Sequence, residues 1–222
     1  MANSQKTGSI VVIGLGRFGI SVALALISRG CEVLGIDSDQ RIVQRHADDL
    51  TYAAVADSTD AEALRQLGVD EFERAVVGIG SHVEASILTT AALIDFRIPA
   101  IWAKAISREH GRILERIGAH HVVLPEHDMG ERVAHLVTGE KMLDYIAFDD
   151  DYAMAKTLPP KEAIGVPLGE SRLRQRYGVT VVGIKRPGEE FTYASAETVL
   201  DRGDVIIVAG HIRDVERIAN LH

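Results

Sequence analysis

The chain has 222 residues, enough for one medium domain and a smaller one at the usual ~150 residues per domain. Apolar residues make up 46% and charged residues 25%, a balance that excludes wholesale disorder. The formal net charge is −8 and neither the front nor the tail of the chain is basic, which argues against a nucleic-acid partner, because neutralising phosphates takes clustered Lys and Arg. The single cysteine, Cys31, cannot form an internal disulfide, so a reducing, cytoplasmic setting is expected. Residues 1–9 are polar and lack the apolar core of a leader. No apolar run approaches the ~18 residues of a spanning helix. A soluble chain is expected, one still able to dock onto a membrane protein.

Residues 1–138 read as strict strand–helix alternation of the parallel-sheet type. SIVVI (9–13) is a continuous apolar run, as expected of a strand buried on both faces. Apolar residues at helical spacing fill 18–29, with Gly30 suited to end the helix. Strands follow at 31–37, 51–57, 74–80, 100–105 and 120–125, and helices at 40–47, 61–67, 83–96, 109–117 and 129–138. Six alternating strands predict a Rossmann-like, doubly wound α/β sheet of order 3-2-1-4-5-6.

After Gly139 the grammar changes. Two strands (142–148, 152–158) flank the acidic turn Asp149–Asp150–Asp151, and a Pro/Gly-rich connection leads to a short helix at 172–177. Strands at 179–185, 190–193 and 204–210 precede a closing helix at 212–221. Residues 139–222 therefore predict a small α+β domain with its boundary near Gly139.

The strongest local signal is Gly14-Leu15-Gly16-Arg17-Phe18-Gly19, which follows a buried strand and opens a helix, with the acid Asp37 ending the next strand. Gly14 permits the tight turn, Gly16 lets a phosphate approach the backbone, and Gly19 lets helix and strand pack closely. The helix start offers unpaired N–H groups and partial positive charge to an anion. Asp37 is placed to accept hydrogen bonds from both ribose hydroxyls, and its charge disfavours a 2′-phosphate. Arg17, inside the turn, adds a cation for a ligand with several exposed phosphate charges; the plain alternative is a surface arginine.

Other strand ends should line the same crevice. Asp57 and Ser58 could hold an adenine edge or simply cap a helix. Ile79 and Gly80 could let a ligand pass close. Lys104 could meet phosphate or lie solvated. Glu126 would be repelled by a phosphate charge about 4 Å away, by ~4 kcal/mol per unit charge at an effective dielectric of 20. It either stays clear, as a helix-start acid, or holds a divalent cation between itself and the phosphates.

Together, VVIGLGRFG, Asp37, VADSTDAEAL, VVGIGSHVEASILTT, WAKA and LPEHDMGERVA resemble the RCK family, the domain that regulates potassium conductance. Within it the likeness is to the soluble regulatory subunits of Ktr-type bacterial potassium-uptake systems, with Trk-type relatives next, and it covers almost the whole chain. The resemblance implies a nucleotide-gated regulatory subunit rather than an enzyme, binding ATP or ADP, or alternatively NAD or NADH. It implies Arg17 on the terminal phosphates, Asp37 on the ribose, Lys104 in the phosphate region, and Glu126 on a divalent cation (Mg²⁺ or Ca²⁺) near a dimer axis. Homodimers would assemble into an octameric ring, peripheral to the inner face of the membrane, on a membrane-embedded potassium-translocating subunit. In some members the second domain takes cyclic di-AMP.

Three other signals are weaker. Tyr152 and Lys156 match a YxxxK dehydrogenase pattern, which needs both on one helix face, yet they fall in a β-like run. His120 and His121 are adjacent on a strand and so face opposite sides. Met129, Val133, Leu136 and Val137 form an apolar stripe that packs on its own sheet, grips a partner subunit, or does both. The competing function is a small NAD-dependent oxidoreductase, which would use the same glycine turn.

Overall fold

The computed structural model describes residues 8–221. The leader reading therefore rests largely on positions 1–7, outside the described residues. The chain forms two compact units divided between Glu126 and His127.

The first unit runs β1 (Ile10–Ile13), α1 (Arg17–Ile27), β2 (Val33–Asp37), α2 (Gln40–His46), β3 (Tyr52–Val55), α3 (Ala61–Gln66), β4 (Arg74–Val77), α4 (Val83–Asp95), β5 (Ala100–Lys104), α5 (Arg108–Ile117) and β6 (His121–Val123). All six strands are parallel, in the order β3-β2-β1-β4-β5-β6. This is the expected order. Its winding reverses between β1 and β4, so a crevice opens beyond the carboxyl ends of those two strands.

Local chemistry sets the element ends. Asp39 Oδ1 accepts from the Arg41 N–H, Asp60 Oδ1 from Glu62 and Ala63, and Ser107 Oγ from His110, each satisfying a first-turn donor. Gly118 stops α5 in the left-handed region at φ 116°. Both faces of the sheet are covered. Val11, Ile13, Ile36, Leu93 and Ile101 fill one core, and Val12, Leu15, Val33 and Leu50 the other. Burial of each such side chain contributes about 1.5–3 kcal/mol.

α6 (Pro125–Thr138) begins at Pro125, four residues before the expected start. Proline suits a first helical position, because its fixed φ is already helical and its missing N–H would be unpaired there anyway. The sequence grammar changes near Gly139, but the compact units divide earlier because α6 packs within the second unit. Leu136 joins that unit's core, His135 stacks on Tyr145 at 4.0 Å between centroids, and Arg132 reaches Asp144.

The second unit continues with β7 (Met142–Ala147), β8 (Tyr152–Thr157), α7 (Leu168–Ser171), α8 (Leu173–Tyr177), β9 (Thr180–Lys185), β10 (Thr192–Tyr193), β11 (Val205–His211) and α9 (Ile212–Ala219). Its sheet is antiparallel, ordered β10-β9-β11-β8-β7. Ala153, Ala155, Ile206 and Val208 alternate inward and meet Val215 and Ile218 of α9. The helix expected at 172–177 is α8; α7, a single turn within the stretch read as a connection, precedes it, and Arg172 at φ 54° separates the two. Among the described residues no helix is long and apolar enough to cross a membrane.

Candidate functional site

Three glycines weld β1, α1 and β4 together at the crevice. Gly14 donates its N–H to Ile36 O at 2.8 Å and turns at φ 88°, a conformation side chains resist. A Cβ on Gly19 would stand 1.8 Å from Gly14 O, and one on Gly78 would stand 2.8 Å from the same oxygen. These positions admit only hydrogen. Gly16 differs: a Cβ there would meet nothing within 4 Å. It is the N-cap of α1, no side chain caps that end, and the first turn carries no acid. The helix start is thus open, with its first N–H groups unpaired within the helix and its dipole favouring an anion.

Asp37 flanks this turn. Its Oδ2 accepts from the Leu15 N–H at 2.7 Å and its Oδ1 from the Asp39 N–H at 2.9 Å. Both bonds come from backbone, so the carboxylate is fixed in direction while each oxygen retains acceptor capacity for a hydroxyl.

A second cluster gathers around Lys104, the last residue of β5. Only 9% exposed, its Nζ lies 2.7 Å from Glu126 Oε1 and 5.6 Å from the Phe18 ring centroid. A Cβ on Gly80 would stand 3.2 Å from the same Nζ. The Lys104 hydrogen bond holds the Glu126 carboxyl below its ordinary range, and the field of Arg17 adds to this. Arg17 itself is exposed on the first turn of α1. Phe18, Gly80, Lys104 and Glu126 are therefore brought together, with Arg17 close enough to be felt.

Ile79 lies under Gly14, its backbone N 2.9 Å from where a Cβ there would be. Asp57 Oδ1 accepts from the Thr59 N–H and hydroxyl, which holds its carboxyl below the usual range. Ser58 requires a correction. Its side chain is buried and its hydroxyl is paired with Thr89 Oγ1 at 2.8 Å, so it braces α4 rather than presenting an adenine contact. Gly78 was not singled out from sequence; read as part of a strand through residue 80, its packing role was hidden, although the Gly-Ile-Gly spacing after β4 repeats that after β1.

Among the described residues, no three His, Cys, Asp or Glu side chains gather as a metal site. His121 stacks on Trp102 at 4.6 Å, and His120 Nδ1 accepts from the Ile101 N–H. Tyr152 and Lys156 lie on strand β8, not on a helix face. On α6 the apolar stripe splits: Leu136 packs inward, while Met129, Val133 and Val137 are exposed.

Residues 10–125 match the TrkA-N domain and residues 155–222 the TrkA-C domain. The chain is 35% identical over 215 residues to the Ktr system potassium uptake protein A of Bacillus subtilis, covering 97% of each. It is 36% identical over 206 residues to Ktr system potassium uptake protein C of the same organism, covering 93% of each. Among solved structures, the GsuK channel bound to NAD superposes with a TM-score of 0.63 at 19% identity, over 98% of this chain and 40% of that one.

Proposed function

This chain belongs to the family that joins a TrkA-N domain to a TrkA-C domain and includes the Ktr system potassium uptake proteins, and on that premise we propose that it is a nucleotide-responsive regulatory subunit of a Ktr-type potassium-uptake system. The observation that carries the nucleotide reading is the open helix start at Gly16, uncapped and unobstructed, with Asp37 fixed beside it. Unpaired N–H groups suit phosphate, and a carboxylate held by backbone suits a ribose.

ATP and ADP would share the ribose and adenine contacts, which therefore give both the same affinity and switch nothing. The difference must come from the terminal phosphate. Arg17, Lys104 and Glu126 are the charged groups placed to sense it, Glu126 through a divalent cation. NAD is the second reading, favoured by the NAD-bound GsuK channel, whose fold this chain shares.

The membrane-embedded potassium-translocating subunit is the proposed partner. A second copy of this chain would cover the exposed Met129, Val133 and Val137 of α6, giving the dimer from which a ring is built. Such a subunit would sit on the cytoplasmic face of the membrane through its partner.

A regulatory role is preferred to catalysis because the relatives that match over almost the whole chain are Ktr system potassium uptake proteins. Calorimetry of the full chain with ATP, ADP and NADH, with and without Mg²⁺ or Ca²⁺, tests the reading, with cyclic di-AMP as a further arm. Saturable heat from at least one adenine nucleotide is expected. Silence from all of them sinks it, and NADH turnover with a panel of carbonyl acceptors would favour an oxidoreductase instead.

A further inference from the structure

The second unit holds a cavity of about 550 Å³ between α6, the β7–β8 turn and the start of α9. That lies in the range of roughly 300–1,000 Å³ typical of small-molecule sites. Four carboxylates line it: Asp128 and Glu131 from α6, Asp149 and Asp150 from the turn. The lining cation Arg132 is neutralised by Asp144, with Nε 3.2 Å and Nη2 2.5 Å from Oδ1. His135 Nδ1 is engaged by Glu216 at 2.8 Å. His127, 3.6 Å from Glu131 and 3.9 Å from Asp128, can offset at most one of the four carboxylates. The cavity wall carries surplus negative charge.

A second observation points to a ligand. Tyr145 lines the cavity, is 2% exposed, and its hydroxyl has no hydrogen-bond partner among the described residues. Buried hydroxyls are normally paired, so this one has hydrogen-bonding capacity left over. Burial first, then the fields of Glu216 and Glu131, push the phenol above its ordinary range and keep it neutral.

The ligand's chemistry follows. Among the described residues no three acids come close enough together to hold one metal ion, so the charge is distributed rather than focused. Ala134, Ile146, Ala147 and Ile212 make the rest of the lining apolar. Separated acids with apolar surface match a flexible molecule that carries several ammonium groups on methylene segments.

We propose that this cavity binds a short aliphatic polyamine, with its ammonium groups on separate carboxylates, one N–H donated to Tyr145 Oη, and its methylenes against Ile146 and Ile212. The site lies wholly in the second unit and does not depend on the nucleotide reading.

Spermidine is the probe, titrated into the full chain by calorimetry at fixed ionic strength. The expected result is one saturable site per chain. Binding should weaken by about ten-fold or more in the Glu131→Gln, Asp150→Asn double variant, and several-fold in Tyr145→Phe. Both acids are exposed, and Tyr145→Phe removes only an unpaired oxygen, so the fold should survive; circular dichroism melts check this, and Tyr145→Phe alone decides if the double variant does not fold. No saturable heat with spermidine, undiminished binding in the folded variants, or equal binding of an uncharged diol of the same length overturns the proposal. So does stoichiometric displacement of spermidine by Mg²⁺, which would make the cavity a metal site. None of these outcomes bears on nucleotide binding.

Discussion

Lys104 Nζ sits 2.7 Å from Glu126 Oε1, joining the end of β5 to the first turn of α6. The two side chains were expected to serve different parts of a ligand, one a phosphate and the other a cation. In the structure each also answers the other. A phosphate that reaches Lys104 competes with Glu126, and a cation that reaches Glu126 competes with Lys104. If a nucleotide binds as proposed, the pair would act as a lock whose opening favours phosphate and cation arriving together, and each half can be tested.

Glu126→Gln removes the competitor for Lys104 and the charge that repels phosphate. Without divalent ions, ATP affinity should rise by about five-fold, the order of one partly exposed ion pair near 1 kcal/mol. With Mg²⁺ or Ca²⁺ the gain should vanish, because the proposed cation has lost its ligand. Calorimetry in EDTA and in excess Mg²⁺ reads both. An affinity that falls in EDTA would remove Glu126 from this role.

The same pair has a pH signature. Lys104 lowers the folded-state pKa of Glu126 below its ordinary 4.5. A depressed carboxylate contributes stability in full above its unfolded pKa and loses it as pH falls through the folded value. The melting-temperature difference between the wild type and Glu126→Gln should therefore stay constant from neutrality down to about 4.5, then shrink on further acidification. The Glu126 side chain is 64% exposed, so the difference should be small. A difference that instead fades between pH 7 and 6 would implicate a histidine.

Gly16 and Gly19 separate binding from folding. Gly19→Ala places a methyl 1.8 Å from Gly14 O, against backbone that has little room to move. It should destabilise the chain by about 1–3 kcal/mol, as overpacking does. Gly16→Ala meets nothing within 4 Å. Its stability should stay within about 1 kcal/mol of wild type, the cost of Ala for Gly at an N-cap, while nucleotide affinity drops because the methyl fills the space a phosphate would take. Thermal melts and nucleotide titrations on the two variants check the contrast. A Gly16→Ala chain that binds as before would move the phosphate elsewhere.

Arg17 is exposed on the first turn of α1, where its field reaches Glu126. Arg17→Ala should lower ATP affinity by about ten-fold, the scale of one charge-assisted hydrogen bond, and leave ADP affinity nearly unchanged. Equal losses for both nucleotides would mean that Arg17 contributes only general attraction.

How far the sequence carried the reading depended on the range of the interaction involved. β1 was legible because four consecutive apolar residues can only be buried on both sides, and the alternation with helices then dictated strand order. Gly19 was legible because the oxygen it must avoid, that of Gly14, lies only five residues away, and Gly14 and Gly16 because they share its motif. Ser58 was misread because its partner Thr89 lies 31 residues away, and a hydroxyl after a strand looks the same whether it faces a crevice or a helix. Gly78 was missed because the oxygen it must avoid belongs to Gly14, on another strand. The start of α6 was misjudged because Pro125 reads equally as a strand end and a first helical residue. The unpaired Tyr145 hydroxyl left no sequence signal at all.

α6 offers the last test. None of its side chains is buried, and Met129, Val133 and Val137 are exposed, the last by 80%. Leu136 already supplies the helix's contact with its own core, so these three contribute nothing to folding that requires them to be apolar. Val133→Asp should then leave the melting temperature within a few degrees of wild type, as surface substitutions within about 0.5 kcal/mol do. If a second copy covers the stripe, the same carboxylate would be buried without a partner at a cost of several kcal/mol, enough to dissociate the pair at micromolar concentration. Light scattering on wild type should give a multiple of 24.1 kDa, and the variant should fall to a single chain. A variant that keeps the wild-type mass would show that α6 does not carry the contact, and the exposed stripe would need another occupant.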